Sequence, residues 1–177
     1  MNRWKATLAA IASCILASGA WAQSYPARTI KLIVPFAAGG STDIIARLTA
    51  EQMRKEMGQT VIVEDKPGAF GQIAAVFVAK SRPDGYTIFM TTNTTHSANP
   101  HLYKSLPYDP VKDFEPLART ATLPFMLVVN PALPVRSTAD LIDYARANPG
   151  KLAFASASST SLVAAERLNT LAKVSMT

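Results

Sequence analysis

The chain has 177 residues, a length that suits one ordinary domain or two small ones. Hydrophobic residues make up 49% and charged residues 17%, enough apolar material for a core, which excludes a disordered chain. The formal net charge is +6, but no Lys/Arg cluster with interleaved aromatics appears. Nucleic-acid binding is therefore not expected, and the basic surface favours anionic ligands.

Residues 1–22 read as a secretory signal peptide. Arg3 and Lys5 form a short positive region, 6–17 is apolar, and Ala20-Trp21-Ala22 is a small-x-small cleavage site. Periplasmic export is expected, with the leader cut after Ala22. The apolar run is shorter than the roughly 20 residues of a permanent span, and no later segment qualifies. Cys14, the only cysteine, lies inside the leader, so the mature chain has no disulfide, thiol nucleophile or Cys-based metal site. A rival reading makes Ile11-Ala12-Ser13-Cys14 a lipoprotein box, with Cys14 as a lipid anchor.

In chain order, 30–36 reads as a buried strand. A helix is predicted over 41–57, with Ile44, Ile45, Leu48, Met53 and Met57 on one face and Gly58 as its stop. Then come a strand at 60–64, a turn at Pro67-Gly68, an apolar helix at 72–80, a turn at Pro83-Asp84-Gly85 and a strand at 86–91. Strand, helix, strand, helix, strand implies a parallel sheet with right-handed crossovers. Residues 99–116 read as loop, with four prolines. Strands are expected near 117–121, 125–130 and 152–156, and helices at 137–148, with Ser137 as N-cap, and at 162–173. The chain ends where another strand is due.

Three segments are candidates for ligand contact. Phe36, Ala37, Ala38, Gly39, Gly40, Ser41, Thr42 and Asp43 join the carboxyl end of a strand to a helix N-terminus. Open α/β sheets bind ligands at such points, where free amides, the helix dipole and close backbone approach suit an anion. Asp43 serves equally as a helix cap. Ser156, Ala157, Ser158, Ser159, Thr160 and Ser161 form a second small, hydroxyl-rich loop before a helix. Facing loops of this kind would clamp a carboxylate. Thr92, Asn93, Thr94 and His96 follow the third strand and offer side-chain hydrogen bonds, or satisfy their own backbone.

Enzyme readings are weaker. The loop is A-A-G-G-S-T, not the G-x-G-x-x-G of dinucleotide binding, although Glu64-Asp65 follows at a suitable strand end. No G-x-S-x-G is present, and His96 and His101 have no evident orienting acid or metal-ligand spacing.

The stretches "YPARTIKLIVPFAAGGSTDIIAR", "VEDKPGAFGQIAAVFVAKSRPDGYTIFM", "THSANPHLYKSLPYDPVKDFEPLA" and "DLIDYARANPGKLAFASASS" resemble, in order, the tripartite tricarboxylate transporter substrate-binding receptors, the Bug or TctC-like proteins. The resemblance implies a type II periplasmic-binding-protein-like α/β fold, with two domains around a cleft, placed here at 23–122 and 123–177. It implies a receptor that grips a small carboxylate between the loops at Phe36 to Thr42 and Ser156 to Ser161 and delivers it to the permease subunits of the transporter. No catalysis, cofactor or metal is implied. The sequence departs from the family in two ways. Ser158, Ser159 and Thr160 stand where the second loop usually has glycines, which suggests more hydroxyl contacts. The resemblance also covers only the N-terminal half of the family's chains, so the second domain reads as incomplete, and a truncated, non-functional remnant is the alternative.

Overall fold

The computed structural model describes residues 24–177. The leader, its boundary at Ala22 and both readings of Cys14 lie outside the described residues.

The core is built on β1 (Ile30–Val34), whose Ile30, Leu32, Ile33 and Val34 are fully buried. An apolar run of this kind, broken only by the exposed Lys31, belongs to a central strand of a parallel sheet. β1 pairs in parallel with β2 (Val61–Asp65) on one side, Ile30 opposite Val61 and Val34 opposite Asp65. On the other side it pairs in parallel with β3 (Thr87–Phe89), Lys31 opposite Thr87. The order β2-β1-β3 is the expected crossover topology. β1 ends at Val34, before Pro35-Phe36, because proline has no N–H to extend the ladder. β3 is also shorter than expected, though the Met90 amide still donates to Ile33 at 2.9 Å.

Helix α1 (Ser41–Met57) crosses from β1 to β2, and Gly58, at φ +67°, ends it by donating to Arg54. Its buried face differs from the expected one. Ala46 and Ala50 face the sheet, with Ile45 packed beside them, while Ile44 and Leu48 are exposed. Small side chains let the helix approach Leu32 and Val34 closely. Helix α2 (Gln72–Ala79) crosses from β2 to β3 and buries Ala74 and Ala75.

The segment expected to be loop at 99–116 begins with helical turns. A π-helical turn at Thr94–Ala98 runs into a short helix α3 (Asn99–Leu102), with Pro100 in its first turn, where the missing N–H costs nothing. Farther on, α4 (Thr138–Ala147) has the expected N-cap: the Ser137 side chain accepts from the Asp140 amide at 3.1 Å. α5 (Ser159–Ala172) begins three residues before the expected start, and Arg146 of α4 donates to its Ala172 carbonyl at 3.0 Å.

The strands expected at 117–121 and 125–130 are absent among the described residues. Extended conformation becomes a strand only through a partner, and none lies alongside; Leu117, Phe125, Met126, Leu127 and Val128 stay more than half exposed. The strand expected at 152–156 is only begun. Phe154 donates to Thr177 at 2.8 Å, Thr177 to Leu152 at 2.9 Å and Gly150 to Ser175 at 3.0 Å, a parallel pairing with α5 as its crossover.

Candidate functional site

The order β2-β1-β3 places a switch point between β1 and β3: the chain leaves their carboxyl ends in different directions and opens a crevice there. An open groove lies in this region. Phe36, Ala37, Ala38, Gly39, Gly40, Ser41 and Thr42 line it, with Thr92, Asn93 and His96 and with Ala157 and Ser158. All three segments singled out in the sequence therefore contribute to one groove. Its lining also carries charges of both signs, Lys112 and Arg119 with Asp113 and Glu115.

The first loop turns tightly. The Gly40 amide donates to Ala37 at 3.3 Å, and Gly39 adopts φ +80°, a left-handed conformation that costs other residues strain. Gly40 is the N-cap of α1 and has no side chain to cap it. The amides of Ser41, Thr42 and Asp43 have no hydrogen-bond partner among the described residues. They sit at the positive end of a 17-residue helix, in position to bind an anion.

Asp43 does not face this groove. It is 2% exposed, accepts from the Gly39 amide at 2.7 Å and pairs with Arg47 Nε at 2.8 Å. The Gly39 amide first, and Arg47 second, hold its carboxyl below the usual carboxylate range. Arg47 also reaches Asp65 at 3.3 Å. Burial, reinforced by the Asp43 charge, pushes the Asp65 carboxyl up. Asp43 thus braces the loop from behind, where its charge is already neutralised.

In the second loop the hydroxyls of Ser158, Ser159, Thr160 and Ser161 are occupied, contrary to the expectation of more hydroxyl contacts with ligand. Ser158 and Ser161 form a reciprocal capping box. Ser159 is fully buried and donates to Asn99 Oδ1 at 2.6 Å. Thr160 donates to Asn93 Oδ1 at 3.2 Å and meets Thr94 Oγ1 at 3.2 Å. Ser156, Ser159, Thr160 and Ser161 are not on the groove lining. What the loop leaves free are backbone amides: those of Ser159 and Thr160 have no partner among the described residues.

The third segment is mostly scaffold. Thr94 is buried against α5, and the Thr92 hydroxyl accepts from the Thr94 amide at 3.3 Å. His96 lies within 2.8 Å of Thr95 Oγ1 through Nδ1, with its ring 4.7 Å from Phe114 and 6.1 Å from Phe89. Burial lowers its pKa below the ordinary 6.5, so it lines the groove as a neutral ring. Among the described residues no group of three or more His, Cys, Asp or Glu side chains converges as a metal site requires. No helix among them is long and apolar enough to cross a membrane.

Sequence reasoning misses Asn99. Asn99 is fully buried and bonds to Phe70, Tyr108 and Ser159. Asn99-Pro100 signals only a loop, and no local pattern marks partners so distant in the chain.

Comparison with known proteins agrees with this architecture. Residues 45–176 match the family model described as "Tripartite tricarboxylate transporter family receptor". The chain is 44% identical over 149 residues to a UPF0065 protein of Bordetella pertussis, covering 84% of this chain and 46% of that protein. Protein BugT of the same organism is 40% identical over 146 residues, covering 82% and 45%. The chain thus spans about half the length of the curated relatives it matches. Among solved structures, R. palustris Rpa4515 with adipate superimposes with a TM-score of 0.84 at 39% identity, covering 86% of this chain and 52% of that one. MatC from Rhodopseudomonas palustris with bound malate gives 0.77 at 36% identity, covering 86% and 53%. The fold is the α/β fold of periplasmic solute-binding proteins, and the chain belongs to the tripartite tricarboxylate transporter receptor family, a family of solute receptors and not of enzymes.

Proposed function

We propose that the protein is an extracytoplasmic receptor that captures a small carboxylate in the groove between its α1 and α5 N-termini and hands it to the permease of a tripartite tricarboxylate-type transporter. The observation that carries this reading is the uncapped start of α1: free amides at the positive end of a long helix, of which those of Ser41 and Thr42 lie on the lining of an open groove. A carboxylate there gains charge-assisted hydrogen bonds of about 1.5–3 kcal/mol each, without a charged side chain. Ala157 and Ser158, on the same lining at the N-terminus of α5, form the opposing jaw. Ala37, Ala38 and Gly39 let the ligand approach the backbone closely.

Two structural neighbours carry adipate and malate, which makes short dicarboxylates the first class to test. Export through the leader cut after Ala22, and a division into two units near residue 122, belong to the same proposal. The test is calorimetric titration of the purified protein with adipate, malate, citrate and, as an uncharged control, adipamide. Saturable binding of an acid, with none of the diamide, supports the receptor reading. Equal binding of acid and diamide, or heat from neither, would sink it.

A further inference from the structure

Two helix N-termini can clamp one anion only if their separation is fixed, and this is where the buried polar cluster around Asn99 enters. Asn99 is fully buried, as is Ser159, the first residue of α5. Their side chains meet at 2.6 Å, Ser159 Oγ donating to Asn99 Oδ1. Asn99 Nδ2 donates to the Phe70 carbonyl at 3.0 Å and approaches Tyr108 Oη at 3.4 Å. Tyr108 donates in turn to the Thr95 carbonyl at 2.7 Å. The polar groups of Asn99 are thus satisfied by three different segments, the condition under which a buried polar network rigidifies its surroundings.

The cluster also reaches the first loop. Phe70 lies in a short 3₁₀ turn (Ala69–Gly71), held at φ +49° and ψ +44°. Gly71, at φ +83°, packs so closely that a Cβ there would stand 2.8 Å from Thr95 Cγ2 and 3.1 Å from Pro35 Cβ. Pro35 begins the loop that opens α1. An unbroken series of contacts therefore runs from Pro35 through Gly71, Phe70 and Asn99 to Ser159. It joins the base of one jaw to the first residue of the other. The Thr160 contacts to Asn93 and Thr94 lie beside it and are longer.

We infer that Asn99 and Ser159 are positioning residues, a buried pin that holds the α5 N-terminus at the separation from the α1 N-terminus that the carboxylate requires. Neither is assigned to the ligand itself. The inference rests on the carboxylate reading for its purpose and on the geometry alone for its placement.

The test separates these two. Spin labels go on the exposed positions Leu48→Cys in α1 and Leu171→Cys in α5, in a Cys14→Ser background, and the distance distribution is measured with native Ser159 and with Ser159→Ala. Ser159→Ala removes one oxygen and favours helix, so it tests the pin without the unfolding risk of Asn99→Ala. A narrow distribution that broadens or shifts in Ser159→Ala, with about tenfold weaker binding of adipate or malate and a retained cooperative melt, is the expected result. An unchanged distribution overturns the inference, as does a changed one with unaltered affinity. If the native chain binds neither acid, the carboxylate reading fails, and the distances alone still decide whether the pin exists.

Discussion

Gly71→Ala perturbs the point where the two halves of the site are tied together. The native φ of +83° puts an L-residue in the left-handed region, at a cost of about 1–2 kcal/mol. The added methyl would also stand 2.8 Å from Thr95 Cγ2 and 3.1 Å from Pro35 Cβ. Neither neighbour is a flexible side-chain end: Pro35 is a buried ring and Thr95 is buried and hydrogen-bonded. Overpacking of this kind costs about 1–3 kcal/mol. The two contributions together give about 2–5 kcal/mol, a fall of roughly 4–20 °C in Tm for a chain of this size. Gly39→Ala and Gly58→Ala are the controls, because both have positive φ but nothing within 4 Å of the new Cβ. They should lose only the backbone part, about 1–2 kcal/mol. Thermal melts followed by far-ultraviolet circular dichroism make the comparison. A Gly71→Ala protein no less stable than Gly39→Ala would refute the close packing of Gly71 against Pro35 and Thr95.

The remaining expectations concern charge and exposure. His96 has a folded-state pKa below 6.5 because burial disfavours its cation. The unfolded chain therefore binds the proton first, so stability is full above pH 6.5 and falls as pH drops from there toward the folded value. His96→Phe should remove that slope, and urea melts at a series of pH values would show it. Asp65 has the opposite sense for an acid: its folded pKa is raised by burial and by Asp43. Its charge penalises the fold once pH rises past the ordinary 3.8, so Asp65→Asn should raise Tm at pH 7 and lose that gain below pH 3.8. Met126 is 83% exposed in the unpaired 117–130 segment. Met126→Lys should change stability within the surface range of about 0.5 kcal/mol while reducing light scattering at high concentration.

What the sequence discloses is what local chemistry decides. The apolar run of β1, the Gly58 stop and the Ser137 cap each depend on residues within a few positions, and each is found. The face of α1 differs from its hydropathy pattern because size matters more: Ala46 and Ala50 allow close contact with the sheet where Ile44 and Leu48 would not. The strands expected after residue 116 fail because a strand needs a partner, and β-rich composition does not supply one. In the site, the Gly39-Gly40 turn is legible as an uncapped helix start. The Ser-rich loop is legible as a helix start but not in its roles. Its hydroxyls look available in sequence, yet Ser159 and Thr160 bond to Asn99 and Asn93, side chains 60 and 67 positions away. Asn99 is invisible in the sequence for the same reason.

The central claim is that a carboxylate binds on the free amides of Ser41 and Thr42 at the start of α1, opposed by Ala157 and Ser158 at the start of α5. Backbone amide proton–nitrogen correlation spectra during an adipate titration test it most directly, because each amide reports separately. The account predicts saturating shifts concentrated at Ser41 and Thr42 and at Ala157 and Ser158, with one shared dissociation constant. Shifts that leave these four amides unmoved while adipate binds elsewhere would contradict it.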